Sequence, residues 1–279
     1  MYYEGPLRIL KTESLSAEEA EVEARFAALV ESRLDEIIAE YGARFGSVID
    51  TDRAREFSPD YCASKASRTR YSRAVYQPAK ALADEIYRRE IRKGAPAEQS
   101  HILFMSGGTG SGKSTALEWL SEEPHTNDRY DILVDGTLSD HQAAQAKIRE
   151  ALALGHRVIV VHVFRAFAET VRLVVRRAIE RGRAVTLDNI AATHFRSRET
   201  LFKLVEEFGT RIKVRVLENC GEDFSRAISM SELAGKHGDS DSVDQLRELA
   251  HGVFADEFAS LKIDRPEIYE AFLQKGSRR

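Results

Sequence analysis

The chain has 279 residues, of which 43% are hydrophobic and 31% charged, as in an ordinary globular protein long enough to bury a sizeable core. The formal net charge of −4 argues against a general nucleic-acid-binding protein. The two cysteines lack metal-ligand spacing. No stretch approaches the roughly 18 apolar residues of a membrane span, and the N-terminus does not resemble a signal peptide, so we expect a cytoplasmic protein and no membrane partner.

Residues 1–95 are predicted to form an N-terminal helical region. Apolar residues recur at helical spacing from 22 to 41, which predicts one long amphipathic helix that Gly42 ends. A second helix is predicted over about 66–92, kinked or divided at Pro78. The residues between these helices are predicted to be irregular.

A short apolar run at 102–105 predicts a buried strand, which breaks into a glycine-rich loop. Residues 107–114 match G-x-x-x-x-G-K-[ST], the Walker A or phosphate-binding loop (P-loop), and a helix pattern starts at Lys113. Glycines allow successive backbone N–H groups to turn toward phosphate oxygens, and the N-terminus of the helix adds partial positive charge. The motif therefore predicts a nucleoside triphosphate site.

Particular residues of this loop have expected roles. Lys113 is expected to neutralise phosphate oxygens during catalysis, and the Ser114 hydroxyl to bind Mg²⁺. The predicted nucleotide-contacting residues of the loop are Gly107, Gly108, Thr109, Gly110, Ser111, Gly112, Lys113, Ser114 and Thr115.

After the loop, predicted strands and helices alternate, which is typical of a parallel sheet covered by helices on both faces. We predict an α/β protein with a three-layer α/β/α P-loop NTPase core over 96–235 and a C-terminal helical extension over 236–279. The predicted strands of the core after the loop are 130–135, 157–164 and 211–217, and its predicted helices include 139–154, 167–181 and 195–208. Asn219, in a predicted loop after the last strand, is expected to lie beside the phosphate loop and contact the nucleotide.

Asp135 ends the predicted strand that follows the phosphate loop. An acidic residue at this place can hold Mg²⁺ or orient the nucleophile, so Asp135 is a candidate catalytic and metal-binding residue. The alternative is a turn aspartate that precedes Gly136. His162 and His194 are interpreted as structural rather than catalytic.

Arginines are concentrated between 165 and 183. Four of them share one helical face, at spacings that alternate between two turns and one turn: Arg165, Arg172, Arg176 and Arg183. Arginines on a lid helix could offset the charge of a phosphoryl group in transfer, and we select Arg176 and Arg183 as candidate catalytic residues. The alternative is a solvated basic face paired to Glu169 and Glu180.

Together these stretches resemble the zeta-toxin family of P-loop kinases. The resemblance rests on the phosphate loop, the segment 132–138, the strand 157–164, the Arg176 and Arg183 pair, and the loop at Asn219. It implies Mg²⁺-assisted, ATP-dependent phosphorylation of a small-molecule hydroxyl, typically on UDP-N-acetylglucosamine. It also implies that Arg176 and Arg183 are lid arginines, and it suggests a possible antitoxin protein as partner.

One segment departs from the family pattern. Family members normally carry a catalytic aspartate and a His-Pro pair after the phosphate-loop helix, whereas here Pro124 and His125 stand in the reverse order within a short connection. This segment is therefore predicted to be shortened or missing, and the general base is left open among Asp135, Asp50 and Asp52, as are a different substrate and a loss of kinase activity. Two other functions stay open at this point, an ATP-binding switch without an acceptor and a polynucleotide 5′-hydroxyl kinase.

Overall fold

The computed structural model describes residues 7–93, 100–122, 130–181, 184–221, 224–236, 242–261 and 266–273. Contacts divide the chain into two compact units, one within the first 94 residues and the other formed mainly by the chain from residue 95 onward. Among the described residues, no helix has both the length and the apolar character needed to cross a lipid bilayer.

The first unit is mainly helical. It contains helices α1 (Ala17–Ser32), α2 (Leu34–Phe45), α3 (Thr51–Ala54), α4 (Pro59–Cys62), α5 (Lys65–Arg70) and α6 (Tyr76–Glu90), with a short strand β1 (Val48–Asp50) and a 3-10 turn (Arg55–Phe57). The segment predicted to be irregular is therefore ordered. One reason is the Tyr41 hydroxyl, which donates to the Val48 carbonyl and accepts from the Asp50 N–H, both at 3.0 Å.

Two helix predictions in this unit are corrected. The long N-terminal helix is interrupted at Arg33, whose φ of −127° is not helical, and Gly42 lies inside α2 instead of ending it. The helix ends at Gly46, which has a positive φ of 59° that glycine adopts readily. Pro78 neither kinks nor divides a helix, because it sits in the first turn of α6, where its missing N–H is not needed.

The second unit contains a mostly parallel sheet. Its strands are β2 (His101–Ser106), β3 (Ile132–Asp135), β4 (Arg157–Phe164), β5 (Ile212–Gly221) and β6 (Phe224–Ile228). They run in the order β3-β2-β4-β5-β6, and only β6 is antiparallel to its neighbour. Residues 158–163 of β4 are all buried, as expected for a strand covered on both faces. The prediction of an α/β fold with flanking helices is confirmed.

Seven helices accompany this sheet in the described part of the second unit. They are α7 (Lys113–Glu122), α8 (His141–Ala153), α9 (Phe167–Arg181), α10 (Leu187–Phe208), α11 (Met230–Gly235), α12 (Val243–Ser260) and α13 (Pro266–Leu273). The apolar side of α9 packs into a core with α10, α12 and α13, around buried residues such as Val175 and Phe254. Helix α9 is therefore amphipathic, as its sequence predicts.

Three boundaries in this unit differ from the predictions. Helix α10 begins at Leu187, eight residues before the predicted start, because the Thr186 hydroxyl accepts from the Asn189 N–H and caps it. Strand β5 continues to Gly221, so Asn219 lies in a strand and not in a loop. Strand β6 was not predicted at all, since its five residues, FSRAI, show no regular alternation of apolar and polar side chains.

Candidate nucleotide-binding site

The phosphate loop joins the carboxyl end of β2 to the start of α7. The Gly107 N–H donates to the Thr137 carbonyl after β3 at 3.1 Å, which ties the loop to the neighbouring strand. The Ser111 N–H donates to the Gly108 carbonyl at 3.1 Å. Because β2, β3, β4 and β5 are parallel, their carboxyl ends meet at this edge, where open α/β sheets bind ligands.

The backbone of the loop requires glycine at three positions, and at the first of them, Gly107, φ is +132° and a Cβ would overlap the Val163 carbonyl. Gly110 and Gly112 have φ values of +85° and +89°, in the left-handed region that side chains rarely adopt. A Cβ atom at Gly110 would overlap the Val174 side chain of α9, and one at Gly112 would overlap the amide of Asn219. Loop and surroundings are therefore closely fitted, and the backbone retains the curvature that a phosphate cradle needs.

Lys113 lies across the mouth of this loop. Its Nζ donates to the Gly107 carbonyl at 3.2 Å and to the Gly108 carbonyl at 3.3 Å, so the ammonium group is already held over the loop. Ser114 is exposed in the first turn of α7, where a hydroxyl can reach a metal ion bound to phosphate.

Helix α10 supports the first half of the loop. The Thr109 N–H donates to the Thr193 hydroxyl oxygen at 3.2 Å, and the same oxygen lies 2.8 Å from the Asn189 carbonyl, to which it donates. The backbone of His194 lies directly against Gly108. Sequence reasoning missed this support because it placed the start of α10 too late, although Thr186 is a recognisable helix cap.

Two histidines, the buried His162 and the partly buried His194, lie behind the loop. His162 Nδ1 is 2.9 Å from the Ser106 hydroxyl, and the ring of His194 packs against Phe164 and Phe167. Burial, with smaller effects from His194, Lys113 and Arg198, lowers the pKa of His162 to about 3. Burial and then Arg198 lower the pKa of His194 to about 4. Both rings are neutral at pH 7, which favours the structural interpretation.

Asp135 is the last residue of β3, the neighbour of β2, and it is partly buried. The Thr137 carbonyl that binds Gly107 follows two residues later, so the chain brings this carboxylate to the same edge of the sheet as the loop. In the part of the chain that the structure describes, no three His, Cys, Asp or Glu side chains converge as a metal site. The metal-binding roles of Ser114 and Asp135 stay predictions.

Asn219 lies where the sequence predicts, beside the phosphate loop. Its side chain is packed against Gly112, and the residue is only 5% exposed. Its Oδ1 accepts from Arg165 Nη2 at 2.7 Å and from the Gly221 N–H at 3.2 Å. Burial lowers the pKa of the Arg165 guanidinium below its ordinary value, although Arg165 stays positively charged at neutral pH.

Two arginines of α9, Arg172 and Arg176, have carboxylate partners. Arg176 Nε donates to Glu257 Oε1 of α12 at 2.7 Å, and this bond raises the pKa of Arg176. Arg172 is 2.6 Å from Glu169 and 3.9 Å from Glu257. Arg183 lies outside the described residues. The catalytic roles of Arg176 and Arg183 stay predictions.

The fold and the loop define this protein as an α/β protein of the P-loop class. Residues 125–226 match the family model described as zeta toxin, which confirms the zeta-toxin resemblance seen in the sequence. This match begins after the phosphate loop, so the loop is identified by its own motif and geometry. A search of curated proteins finds no match.

Two solved structures are similar at low sequence identity. One, described as the AvrRxo1-ORF1:-ORF2 complex, has a TM-score of 0.40 and 10% identity, and covers 63% of this chain and 87% of that chain. The other, from the PezAT chromosomal toxin-antitoxin system of Streptococcus pneumoniae, has a TM-score of 0.33 and 14% identity, and covers 64% of this chain and 95% of that chain.

Proposed function

We propose that this protein is an ATP-dependent phosphotransferase of zeta-toxin type, which transfers the γ-phosphoryl group of ATP to a hydroxyl of a small molecule. The observation that carries this proposal is the phosphate loop, in which Lys113 lies over the Gly107 and Gly108 carbonyls at the carboxyl edge of a parallel sheet. The zeta toxin match in the following segment supports a kinase-like activity.

Each part of this edge has a role in the proposed reaction. The loop amides and Lys113 would bind and orient the triphosphate, so that the terminal phosphorus faces the acceptor. Ser114 and Asp135 would hold Mg²⁺, which neutralises phosphate charge when bound. The predicted lid arginines, Arg176 and Arg183, would offset the charge that develops during transfer.

The acceptor and the partner are proposed on the resemblance alone. Zeta toxins typically phosphorylate UDP-N-acetylglucosamine, so a nucleotide sugar is the first acceptor to test, and a small antitoxin is the corresponding partner. The residue that takes the proton from the acceptor hydroxyl is not assigned, and Asp135 is the candidate that the sheet brings to the loop edge.

The proposal is tested by Lys113→Ala. Removing the ammonium group should lower ATP turnover by at least a hundredfold while circular dichroism and the unfolding temperature stay those of the parent. Lys203→Ala is the matched control, because Lys203 is an exposed lysine on α10. Unchanged turnover in Lys113→Ala would defeat the proposal.

The class of acceptor needs a separate assay with labelled ATP. Transfer of label to UDP-N-acetylglucosamine supports the nucleotide-sugar assignment. Transfer to a 5′-hydroxyl oligonucleotide would replace it with a polynucleotide kinase. ATP binding without a labelled product across a panel of metabolites would instead indicate a nucleotide-dependent switch.

A further inference from the structure

Arg165 occupies a distinctive place among the arginines that follow the phosphate loop. It directly follows β4, the strand that pairs with β2, and so lies at the same edge of the sheet as the loop. Its Nη2 donates to Asn219 Oδ1 at 2.7 Å, and the other end of that amide packs against Gly112. One buried side chain therefore joins the guanidinium of Arg165 to the backbone of the loop.

The partners of Arg165 differ from those of its neighbours on α9. Arg172 and Arg176 lie within ion-pair distance of carboxylates, on Glu169 and Glu257 respectively. Among the described residues, no carboxylate lies within 4 Å of Arg165, whose hydrogen-bond partner is a neutral amide oxygen. Glu169 still acts on Arg165 at longer range and raises its pKa, but this effect is smaller than the lowering by burial, and no ion pair holds the guanidinium.

An anion would complete this arrangement. A partly buried guanidinium has lost some of its hydration, and burial lowers its pKa, which shows that the surroundings do not favour the charge. A neutral amide replaces only part of the lost hydration. A phosphate oxygen matches the planar donors of arginine and would supply the missing negative charge.

We propose that Arg165 binds the polyphosphate chain of the nucleotide and that Asn219 is the positioning residue that holds it beside Gly112. This inference rests on the proposed function, since it requires a nucleotide in the loop. It deepens that function by adding a phosphate contact from the residue that directly follows β4, at the carboxyl edge of the sheet. The contact does not depend on Arg176, which Glu257 already binds.

The test is titration calorimetry of the full chain with Mg·ATP and with Mg·ADP. Arg165→Gln should weaken Mg·ATP binding by about tenfold or more, as expected for one charge-assisted hydrogen-bonded contact. Arg165→Lys keeps the charge and should recover part of the affinity. Arg157→Gln is the matched control, because Arg157 is the exposed first residue of the same strand, at its opposite end. Mg·ADP locates the contact, since a loss for ATP alone assigns it to the γ-phosphate.

Unfolding temperatures of the nucleotide-free variants separate phosphate binding from a structural role. The proposal requires that Arg165→Gln unfold within about 2 °C of the parent and still lose affinity. Binding within twofold of Arg157→Gln, or a loss of affinity in both Arg165 variants that accompanies a lowered unfolding temperature, overturns it. If the parent protein itself binds no Mg·ATP, the proposed function fails. If the parent binds Mg·ATP and Arg165→Gln binds equally well, only the role of Arg165 fails.

Discussion

The phosphate loop and the arginine-bearing face of α9 lie in the same unit, yet different forces fix them. At the loop, backbone contacts decide the conformation, and Gly112 fits against Asn219 with no room for a side chain. On α9 the buried side is apolar, whereas Arg172 and Arg176 lie on the outer side and are oriented by Glu257 of α12. The loop is rigid because its neighbours fill space, and the arginine face is held by charge.

This difference separates two kinds of functional residue. A side chain fixed by close packing is preorganised, so it needs little rearrangement when a ligand binds. A side chain held by an ion pair must leave its partner before it can contact a ligand. Asn219 against Gly112 is of the first kind, and Lys113 and Arg165 are hydrogen-bonded beside it. Arg176 would have to leave Glu257 before it could contact a phosphate.

The largest expected effect is a pH dependence of the free energy of unfolding, which tests the packing around the loop. Unfolded imidazoles take up protons below a pKa of about 6.5, whereas folded His162 and His194 do so only near 3 and 4. Stability is therefore complete above about pH 6.5 and is lost as pH falls through the range down to these folded values. We expect the free energy of unfolding, measured in urea, to decrease by about 3 kcal/mol between pH 7 and pH 5.

His162→Asn identifies the source of that loss. With one of the two buried titratable rings removed, the decrease between pH 7 and pH 5 should shrink by about half. An identical pH dependence in the variant and the parent would show that buried histidines near the loop do not control acid stability.

The second effect concerns the backbone of the loop itself. Gly112→Ala forces a Cβ into the Asn219 amide at a φ of +89°, and left-handed strain of this kind costs about 1–3 kcal/mol. We expect Mg·ATP affinity to fall by about tenfold to a hundredfold, measured by calorimetry. Full affinity in Gly112→Ala would mean that the loop is not closely fitted.

The same difference explains which features of the molecule could be predicted from its sequence. The loop and β4 are encoded by contiguous residues, a glycine pattern and an apolar run, so both were located correctly. The partner of Arg176 lies 81 residues further along the chain, and no local pattern connects the two. The support from Thr193 was missed for a different reason, since the cap at Thr186 was visible but the weakly apolar start of α10 was not assigned to a helix.

A third and smaller effect tests the arginine-bearing face of α9. Glu257 is only 7% exposed and lies near both Arg172 and Arg176, so Glu257→Gln should lower the unfolding temperature by roughly 2–4 °C. Differential scanning fluorimetry measures this change. Glu169→Gln is the control, because that carboxylate is exposed and its ion pair with Arg172 lies at the surface, where such pairs contribute little. Equal shifts in the two variants would mean that α12 does not fix this face.

The smallest effect compares two glycines directly. Gly252 lies within α12, and a Cβ there would meet nothing within 4 Å, in contrast to Gly112. Gly252→Ala should therefore raise the free energy of unfolding by about 0.5–1 kcal/mol, because alanine loses less backbone entropy in a helix. Urea unfolding measures the change in the free energy of unfolding for both alanine variants. We expect Gly252→Ala to be stabilised and Gly112→Ala not to be. A destabilised Gly252→Ala would show that α12 resists substitution even where space is open. The distinction between the phosphate loop, fixed by packing, and the arginine-bearing face of α9, held by charge, would then lose its basis.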